Sequence, residues 1–358
     1  MYYNTPCMQP ENTAVLFVTT AAQNAAVLSR STLWQQLYTR YKHYPTQVEI
    51  ARRFIEWSKN RADGGGLLLP AQQNTEYYFV GDLHAQFDSL TGIICQAVAE
   101  SALHGRHPHL ILLGDCIDRG EDDFATVALI QDAIMGGLHR YFTVSYICGN
   151  HDFAVDVMPH GFFYSAVSPA DTTNHLNALS KQGRGANALI LGKSIIELAR
   201  TAPYMGELVW GPAPQQSFIF AHACTPHTDM QQELQQWYAG CNINMPYTEL
   251  PDHLLYPCRD DFMRGMFHPQ IDHTEPNRGF SATKQGTADM AAYTTLHHAL
   301  TGRRIIGMFR GHDHVANGHR ITPLRSGFIC TLNALGAGNT TVAAWNQQQA
   351  GLVRLLTF

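Results

Sequence analysis

Short apolar runs that end in polar clusters recur along the chain from residue 76 onward, and this feature constrains the fold more than any other. Helical patterns separate several of the runs, for example at residues 90–103 and 124–134. Buried strands that alternate with helices are typical of a layered α/β fold. The clusters are GDLHAQ (81–86), GDCIDRG (114–120), GNHD (149–152), AHACTP (221–226) and GHDH (311–314). Because α/β sheets place their sites at the carboxyl ends of strands, we expect these clusters to meet.

Composition excludes several classes of protein. The chain has 358 residues, which at roughly 100–200 residues per domain allows one large or two moderate domains. Charged residues make up 15%, against about 25% in typical proteins, which argues against a charge-rich disordered chain or a long coiled coil. The net charge of −5 excludes a broadly basic protein that coats nucleic acid.

Cysteine usage and the amino terminus indicate the compartment. Eight cysteines are scattered without a CxxC pair, which is typical of reduced thiols in a reducing compartment. No segment approaches the roughly 18 apolar residues that a membrane-spanning helix needs. Residues 1–13 lack Lys and Arg, and the apolar run 14–18 is too short for a signal peptide. The sequence therefore predicts a cytoplasmic protein without stable membrane insertion.

Residues 1–75 lack the apolar runs followed by polar clusters that mark the rest of the chain. They are predicted to form a helical leader that packs on or precedes the core. Apolar residues between 31 and 60 recur at spacings of three and four, which predicts two amphipathic helices separated near Pro45. Residues 63–66, DGGG, indicate a turn or linker. Residues 76–358 are then the domain that carries the five polar clusters. The role of the leader, whether packing or partner binding, stays open.

The five clusters supply carboxylates, imidazoles and an amide. Singly, each is weak, because a Gly-Asp pair often forms a turn and a lone His is usually structural. Together they can surround two divalent ions, which clamp a phosphate and activate a water molecule. Asp115 can supply the bridging carboxylate. The mixed nitrogen and oxygen donors suit Mn, Fe or Zn better than Mg or Ca.

The motifs GDLHA, GDCIDRG and GNHD follow the order of the pattern GDxHG, GDxxDRG, GNHE. On these residues the sequence resembles the metallophosphoesterase superfamily, and within it the phosphoprotein phosphatase (PPP) type. The later segments AHACTP, PNRGF (276–280) and FRGHDH resemble the downstream elements of that type. The resemblance covers roughly residues 76–345. It implies an α/β fold of the calcineurin-like kind, a β-sandwich flanked by helices.

The resemblance also implies a dinuclear metal site. Its metal ligands would be Asp82 and His84 at the first ion, Asp115 bridging both ions, and Asn150, His222 and His312 at the second. Manganese is the leading choice for the two divalent ions, with iron and zinc as alternatives. A hydroxide between the ions would attack phosphorus in line, without a covalent intermediate.

Four further residues receive catalytic roles from the resemblance. Arg119 and Arg278 would grip the phosphate oxygens, for which a planar guanidinium is suited. His151 would protonate the leaving group as general acid. Asp118 would orient His151 and keep it cationic.

Alternatives remain for both arginines. Arg119 can instead form an ion pair with Asp118 or Glu121, and Arg259 and Arg264 compete with Arg278 for the phosphate-binding role.

The GHDH motif departs most clearly from the PPP pattern, which has one His at this place. Phosphodiesterases, purple acid phosphatases and some bacterial PPP-like tyrosine phosphatases of the superfamily have GHxH. Alternate residues of a strand face the same side, so His314 is predicted as an extra ligand of the first metal. A position outside the ligand sphere is the alternative. In addition, Cys148 replaces an Arg of the pattern, so one basic contact is missing.

The leading functional prediction is a metal-dependent phosphoprotein phosphatase acting on Ser/Thr or Tyr phosphomonoesters. The alternative is a nucleotide or small-molecule phosphoesterase, such as a diadenosine tetraphosphate hydrolase or a phosphodiesterase. A phosphate-binding adaptor without turnover is a third class. The predicted partner is a phosphorylated protein and not nucleic acid, and the sequence predicts no oligomeric state. Delivery into a host cell by a non-classical route, as a bacterial effector, is an alternative to the cytoplasm.

Overall fold

The computed structural model describes residues 15–21, 31–62, 64, 66–154, 170–203, 205–223, 294–295, 297–298, 301–324 and 327–358. Within these ranges the chain forms two six-stranded sheets that pack face to face. Helices cover the other face of the first sheet. The predicted α/β sandwich flanked by helices is confirmed.

The first sheet has the strand order β1-β12-β11-β3-β4-β5. Its strands are β1 (Leu16–Ala21), β3 (Thr75–Val80), β4 (His107–Leu112), β5 (Thr143–Tyr146), β11 (Thr341–Asn346) and β12 (Leu352–Thr357). Strands β3, β4 and β5 run parallel, so their carboxyl ends open at the same edge. Strand β11 is antiparallel to both of its neighbours.

The second sheet has the strand order β2-β6-β7-β8-β10-β9. Its strands are β2 (Gly66–Pro70), β6 (Met205–Trp210), β7 (Gln216–Ala221), β8 (Arg304–Arg310), β9 (His319–Leu324) and β10 (Gly327–Leu332). Strands β7 and β8 are parallel, which brings the residues that follow them to one edge.

Seven α-helices lie in the described ranges, and the helices predicted from apolar spacing are among them. The seven are α1 (Thr32–Tyr41), α2 (Tyr44–Ser58), α3 (Phe87–Leu103), α4 (Asp123–Ile134), α5 (Asn150–Ala154), α6 (Ala170–Leu179) and α7 (Gly185–Thr201). Ser31 caps α1 by accepting a hydrogen bond from Trp34 N at 3.1 Å, and Pro45 lies in the first turn of α2. Of the described helices, none has the length and apolar character needed to cross a membrane.

Side-chain alternation along the central strands divides the core in two. Tyr78 and Val80 of β3 face the helices, whereas Tyr77 and Phe79 face the second sheet. Successive residues of a strand point to opposite faces. Both faces of β3 are covered, which explains why its residues are all buried.

The described residues before position 71 contribute to every layer. Helices α1 and α2 bury Leu37, Tyr41 and Phe54 in the core beside the first sheet. Strand β1 pairs with β12, and β2 pairs with β6. The apolar spacing predicted the two helices but not the two strands, because each strand finds its partner far along the chain, where no local pattern can show it.

A buried ion pair stabilises the second sheet. The carboxylate of Glu207 accepts hydrogen bonds from Arg303 Nε at 2.9 Å and Nη2 at 2.7 Å. His297 Nε2 lies 3.2 Å from the same carboxylate. Burial alone would raise the pKa of Glu207, but His297 and Arg303 outweigh it and lower the pKa to about 2. Glu207 is therefore charged in the folded protein at neutral pH.

Replacing Glu207 by Gln is expected to lower the free energy of unfolding at pH 7 by about 3–5 kcal/mol, because the buried Arg303 loses its ion pair with the Glu207 carboxylate. The folded pKa lies below the ordinary value of 4.5, so the contribution is present above pH 4.5 and is lost as pH falls toward 2. Urea unfolding at pH 6 and pH 3.5 should show a smaller wild-type advantage at the lower pH. The surface substitution Glu56→Gln is the control, since it breaks only an exposed pair with Lys59. An equal advantage at both pH values would contradict the prediction.

Candidate active site

Five loops at the carboxyl ends of strands converge on one site. The loops after β3, β4, β7 and β8 carry candidate residues, as does α5, which follows β5. The structure brings together Asp82, His84, Asp115, Asp118, Arg119, Asn150, His151, His222, His312 and His314. Arg278 lies outside the described residues.

Two sets of three donor atoms are close enough to hold a metal ion. One set is His84, Asp115 and His151, and the other is Asp82, Asp115 and His222, with the atoms of each set within 4.8 Å of one another. Asp115 belongs to both sets, as a bridging carboxylate must. Within these sets Asp82 lies with His222, and His151 lies with His84; which of these residues binds which ion stays a prediction.

The remaining candidate ligands face the same two sets. His222 Nε2 lies 2.8 Å from Asn150 Oδ1 and 3.0 Å from His312 Nδ1. His84 Nε2 and His314 Nε2 lie 3.0 Å and 3.2 Å from the same guanidinium nitrogen, Arg119 Nη1. The imidazole of His314 therefore lies on the His84 side of the site, and its role as a metal ligand stays a prediction.

The electrostatics of the site favour bound cations. Burial would raise the pKa of Asp82 and of Asp115, but the nearby His222 outweighs it and lowers both. Burial would lower the pKa of His222, but Asp115 and Asp82 raise it to about 9. The pKa of His312 falls to about 3, first through burial and then through the His222 charge. Two buried carboxylates thus need positive charge beside them, and this carboxylate and imidazole set fits Mn, Fe or Zn ions.

The glycines of the motifs are required because the loops touch. A Cβ on Gly149 would overlap with Asp115 Oδ1 and with the backbone nitrogen of Asp115. A Cβ on Gly311 would overlap with Asp82 Oδ1, and one on Gly120 with the carbonyl oxygen of His84. These three glycines therefore let one loop that carries candidate ligands lie against another.

Gly149→Ala is expected to lower kcat/KM by about 100-fold, because a shift of the order of 1 Å at a catalytic group costs about that much. The added methyl group must push Asp115 from its position, so metal content should fall as well. The matched control is Gly185→Ala, whose Cβ would meet only Ser180 Oγ at 3.9 Å. Steady-state kinetics and elemental analysis of both variants check the prediction. Wild-type values for Gly149→Ala would contradict it.

A histidine–aspartate pair lies beside the metal-ligand candidates. His151 Nδ1 donates to Asp118 Oδ2 at 2.8 Å, and the backbone N–H of His151 donates to Asp115 Oδ1 at 2.8 Å. Burial would lower the pKa of His151, but Asp115 and Asp118 outweigh it and raise it. Arg119 Nη2 lies 3.1 Å from His151 Nε2. The Nε2 atom therefore faces the centre of the site next to a guanidinium group.

Several positioning residues escaped the sequence analysis. Asp152 accepts hydrogen bonds from the backbone N–H groups of Cys116 at 2.8 Å and Gly149 at 2.9 Å, and from the Tyr146 hydroxyl. It thereby ties the GDCIDRG loop to the GNHD loop. Its place as the last residue of GNHD was the only signal in the sequence.

A second such contact shapes the GHDH turn. Arg310 Nη1 donates to Asp313 Oδ2 at 2.8 Å, which holds the residue between His312 and His314. The Arg310 side chain is fully buried, and no pattern in the sequence marked it.

Comparisons with known proteins identify a family and proteins of similar structure. A family model described as calcineurin-like phosphoesterase matches residues 76–316. A protein serine/threonine phosphatase from Saccharomyces cerevisiae, similar to human phosphatase PP5, has a similar structure, with a TM-score of 0.52 and 13% identity; the match covers 88% of this chain and 90% of that one. A cold-active protein-tyrosine phosphatase from a psychrophilic Shewanella species follows with a TM-score of 0.45 and 12% identity, covering 83% of each chain.

No curated protein matches the sequence closely enough to count as a relative. The family model nevertheless spans well over half of the chain, and the yeast phosphatase shares the fold. The resemblance to metallophosphoesterases is thereby confirmed. The chain belongs to the calcineurin-like phosphoesterase family.

Proposed function

We propose that this protein is a metal-dependent phosphoprotein phosphatase that hydrolyses Ser/Thr or Tyr phosphomonoesters. The observation that carries the proposal is the pair of His151 and Asp118 with Arg119 beside it. A phosphomonoester releases an alkoxide or phenoxide that needs a proton, and a positioned imidazole can supply it. The phosphoryl oxygens of a phosphomonoester carry two negative charges, and a guanidinium group binds them through paired charge-assisted hydrogen bonds.

The donor residues would hold two divalent ions, with manganese as the leading choice and iron or zinc as alternatives. Asp82, His84 and His314 are proposed on one side, Asp115 between the ions, and Asn150, His222 and His312 on the other. Bound there, the ions would activate a water molecule and polarise the phosphoryl oxygens.

The other residues act on substrate and leaving group. Asp118 Oδ2 accepts the Nδ1 proton of His151, which leaves the Nε2 proton directed at the leaving oxygen. Arg119 holds the phosphoryl oxygens, and Arg278 is proposed as the second guanidinium group. The fold that this chain shares with a protein serine/threonine phosphatase supports a phosphorylated protein as the substrate class.

The test is hydrolysis by metal-free protein that has been reloaded with Mn²⁺. Phosphoserine, phosphothreonine and phosphotyrosine peptides are compared with an aryl phosphodiester, with Asp115→Asn as control. Rapid peptide turnover that the control lacks supports the proposal, and the ranking of peptides gives the preference. Inert peptides would overturn it.

His314 favours a second candidate, a nucleotide or small-molecule phosphoesterase. Its imidazole lies beside that of His84 across Arg119, in the GHxH arrangement that phosphodiesterases have. Diester turnover with inert peptides would support this candidate, and His314→Ala should then reduce diester turnover more than Arg119→Lys does.

A further inference from the structure

A second carboxylate–histidine pair lies directly behind the acid pair. Asp123, at the start of α4, is buried, with 1% of its surface exposed. Its Oδ1 accepts the backbone N–H of Asp118 at 2.8 Å and the Thr172 hydroxyl at 2.9 Å. Its Oδ2 faces His175 Nδ1 at 2.5 Å. Both carboxylate oxygens of Asp123 are therefore engaged, one of them by the backbone of Asp118.

Helix α6 also contacts Asp118 itself. The backbone N–H of Asp171 donates to Asp118 Oδ1 at 3.0 Å, while Asp118 Oδ2 binds His151. The same helix carries Thr172 and His175, which bind Asp123. One helix thus fixes the side chain of Asp118 directly and its backbone through Asp123.

The backbone at this position needs such support. Asp118 has φ 71° and Arg119 has φ 67°, in the left-handed region that costs residues other than Gly about 1–3 kcal/mol each. The hydrogen bond from Asp118 N to Asp123 holds this conformation. It directs the Asp118 carboxylate at His151 and places the Arg119 guanidinium among the site histidines.

We propose that Asp123 and His175 are positioning residues for the proposed phosphomonoesterase reaction: they hold Asp118, and through it His151, in the geometry for proton donation. This inference rests on the proposed function. His175 acts at a distance from substrate, since its ring contacts Asp123 and not the metal-ligand candidates. The interaction of His175 with Asp123 also raises the pKa of that imidazole, first through the hydrogen bond. A cationic ring stabilises the buried Asp123 carboxylate.

The loss of activity on replacing His175 is expected to depend on the leaving group. A poor alkoxide leaving group, as in a phosphoserine peptide, needs the acid, whereas p-nitrophenolate leaves without it. His175→Leu removes the donor to Asp123 and is expected to lower kcat on the peptide by about 10–100-fold, the range for a residue that orients another. KM and p-nitrophenyl phosphate turnover should change little. In His175→Asn, the amide nitrogen can replace Nδ1, so most of the activity should return.

The control is His139→Leu. His139 is exposed and its Nδ1 lies 2.6 Å from the Gly136 carbonyl oxygen, away from the site. Equal losses on both substrates, or no loss with His175→Leu, would overturn the inference. A second readout does not need turnover: the low-field Nδ1–H NMR resonance of His151, identified by its absence in His151→Gln, should persist in His175→Asn and shift or vanish in His175→Leu. An unchanged resonance in His175→Leu would overturn the inference, whereas wild-type protein inert on every monoester would overturn only the proposed function.

Discussion

Asp115→Asn is expected to abolish metal-dependent hydrolysis, with a loss on the order of 10³-fold, the upper range for removing one charge-stabilising group. Asp115 is the residue that both candidate metal sets share, so its charge would serve both of the proposed ions. Its side chain is buried, and His222 Nε2 lies 3.4 Å from its Oδ2. Without this carboxylate, the imidazoles of His84, His151 and His222 remain, but the anion that would bridge the two proposed ions is missing.

The substitution separates charge from shape. The Asn amide oxygen can still accept the hydrogen bond that Asp115 Oδ1 receives from His151 N, so the loop should keep its conformation. Metal content by elemental analysis should fall from two ions per chain, while circular dichroism stays unchanged. Asp88→Asn is the control, because that carboxylate is exposed and pairs only loosely with Lys42 at 3.9 Å. Full metal content and full activity in Asp115→Asn would refute the bridging role.

His151→Gln is expected to lower kcat for phosphoserine peptides by about 10²–10⁴-fold, the usual contribution of a general acid. His151 also belongs to a candidate metal set with His84 and Asp115, and its Nε2 lies 3.9 Å from Asp115 Oδ2, so a role as metal ligand is the alternative. The two roles predict different outcomes. Loss of the acid reduces turnover with both metals still bound, and reduces it more for alkyl than for aryl leaving groups, whereas loss of a ligand also reduces metal content.

The pH dependence gives the second measurement of this role. Burial would lower the pKa of His151, but Asp115 and Asp118 raise it above the ordinary value of 6.5. The protonated ring is the proposed active form, so kcat should fall as pH rises past that raised pKa. This alkaline decrease should be missing in His151→Gln. Metal loss together with an unchanged pH profile would assign His151 to the metal instead.

The sequence predicted the strands that carry the site because each strand is a short apolar run that a polar cluster follows, which is a local pattern. The apolar run before Gly81 is a buried strand, and Asp82 follows where the strand ends. The same reasoning located Asp115 and His312. It could not find β1 or β2, whose pairing partners lie far along the chain.

The contacts behind the site were also beyond reach of the sequence. Asp123 looks like an ordinary first residue of a helix, and none of the five polar clusters contains His175. Their pairing depends on how α6 packs against α4, which no periodicity encodes. Asp152, by contrast, stood inside a motif, and its role could have been suspected from that place alone.

The position of β11 between β3 and β12 has a consequence for biogenesis. Strand β3 is made early, but the neighbour that completes its antiparallel edge, β11, is made after more than half of the chain has followed. Until then the ribosome-bound chain exposes an unpaired apolar edge next to Asp82. Such long-range pairing slows folding, and unpaired edges favour aggregation. The edge of the sheet beside Asp82 is therefore complete only after β11 has been made, and nascent chains that lack β11 are expected to bind ribosome-associated chaperones.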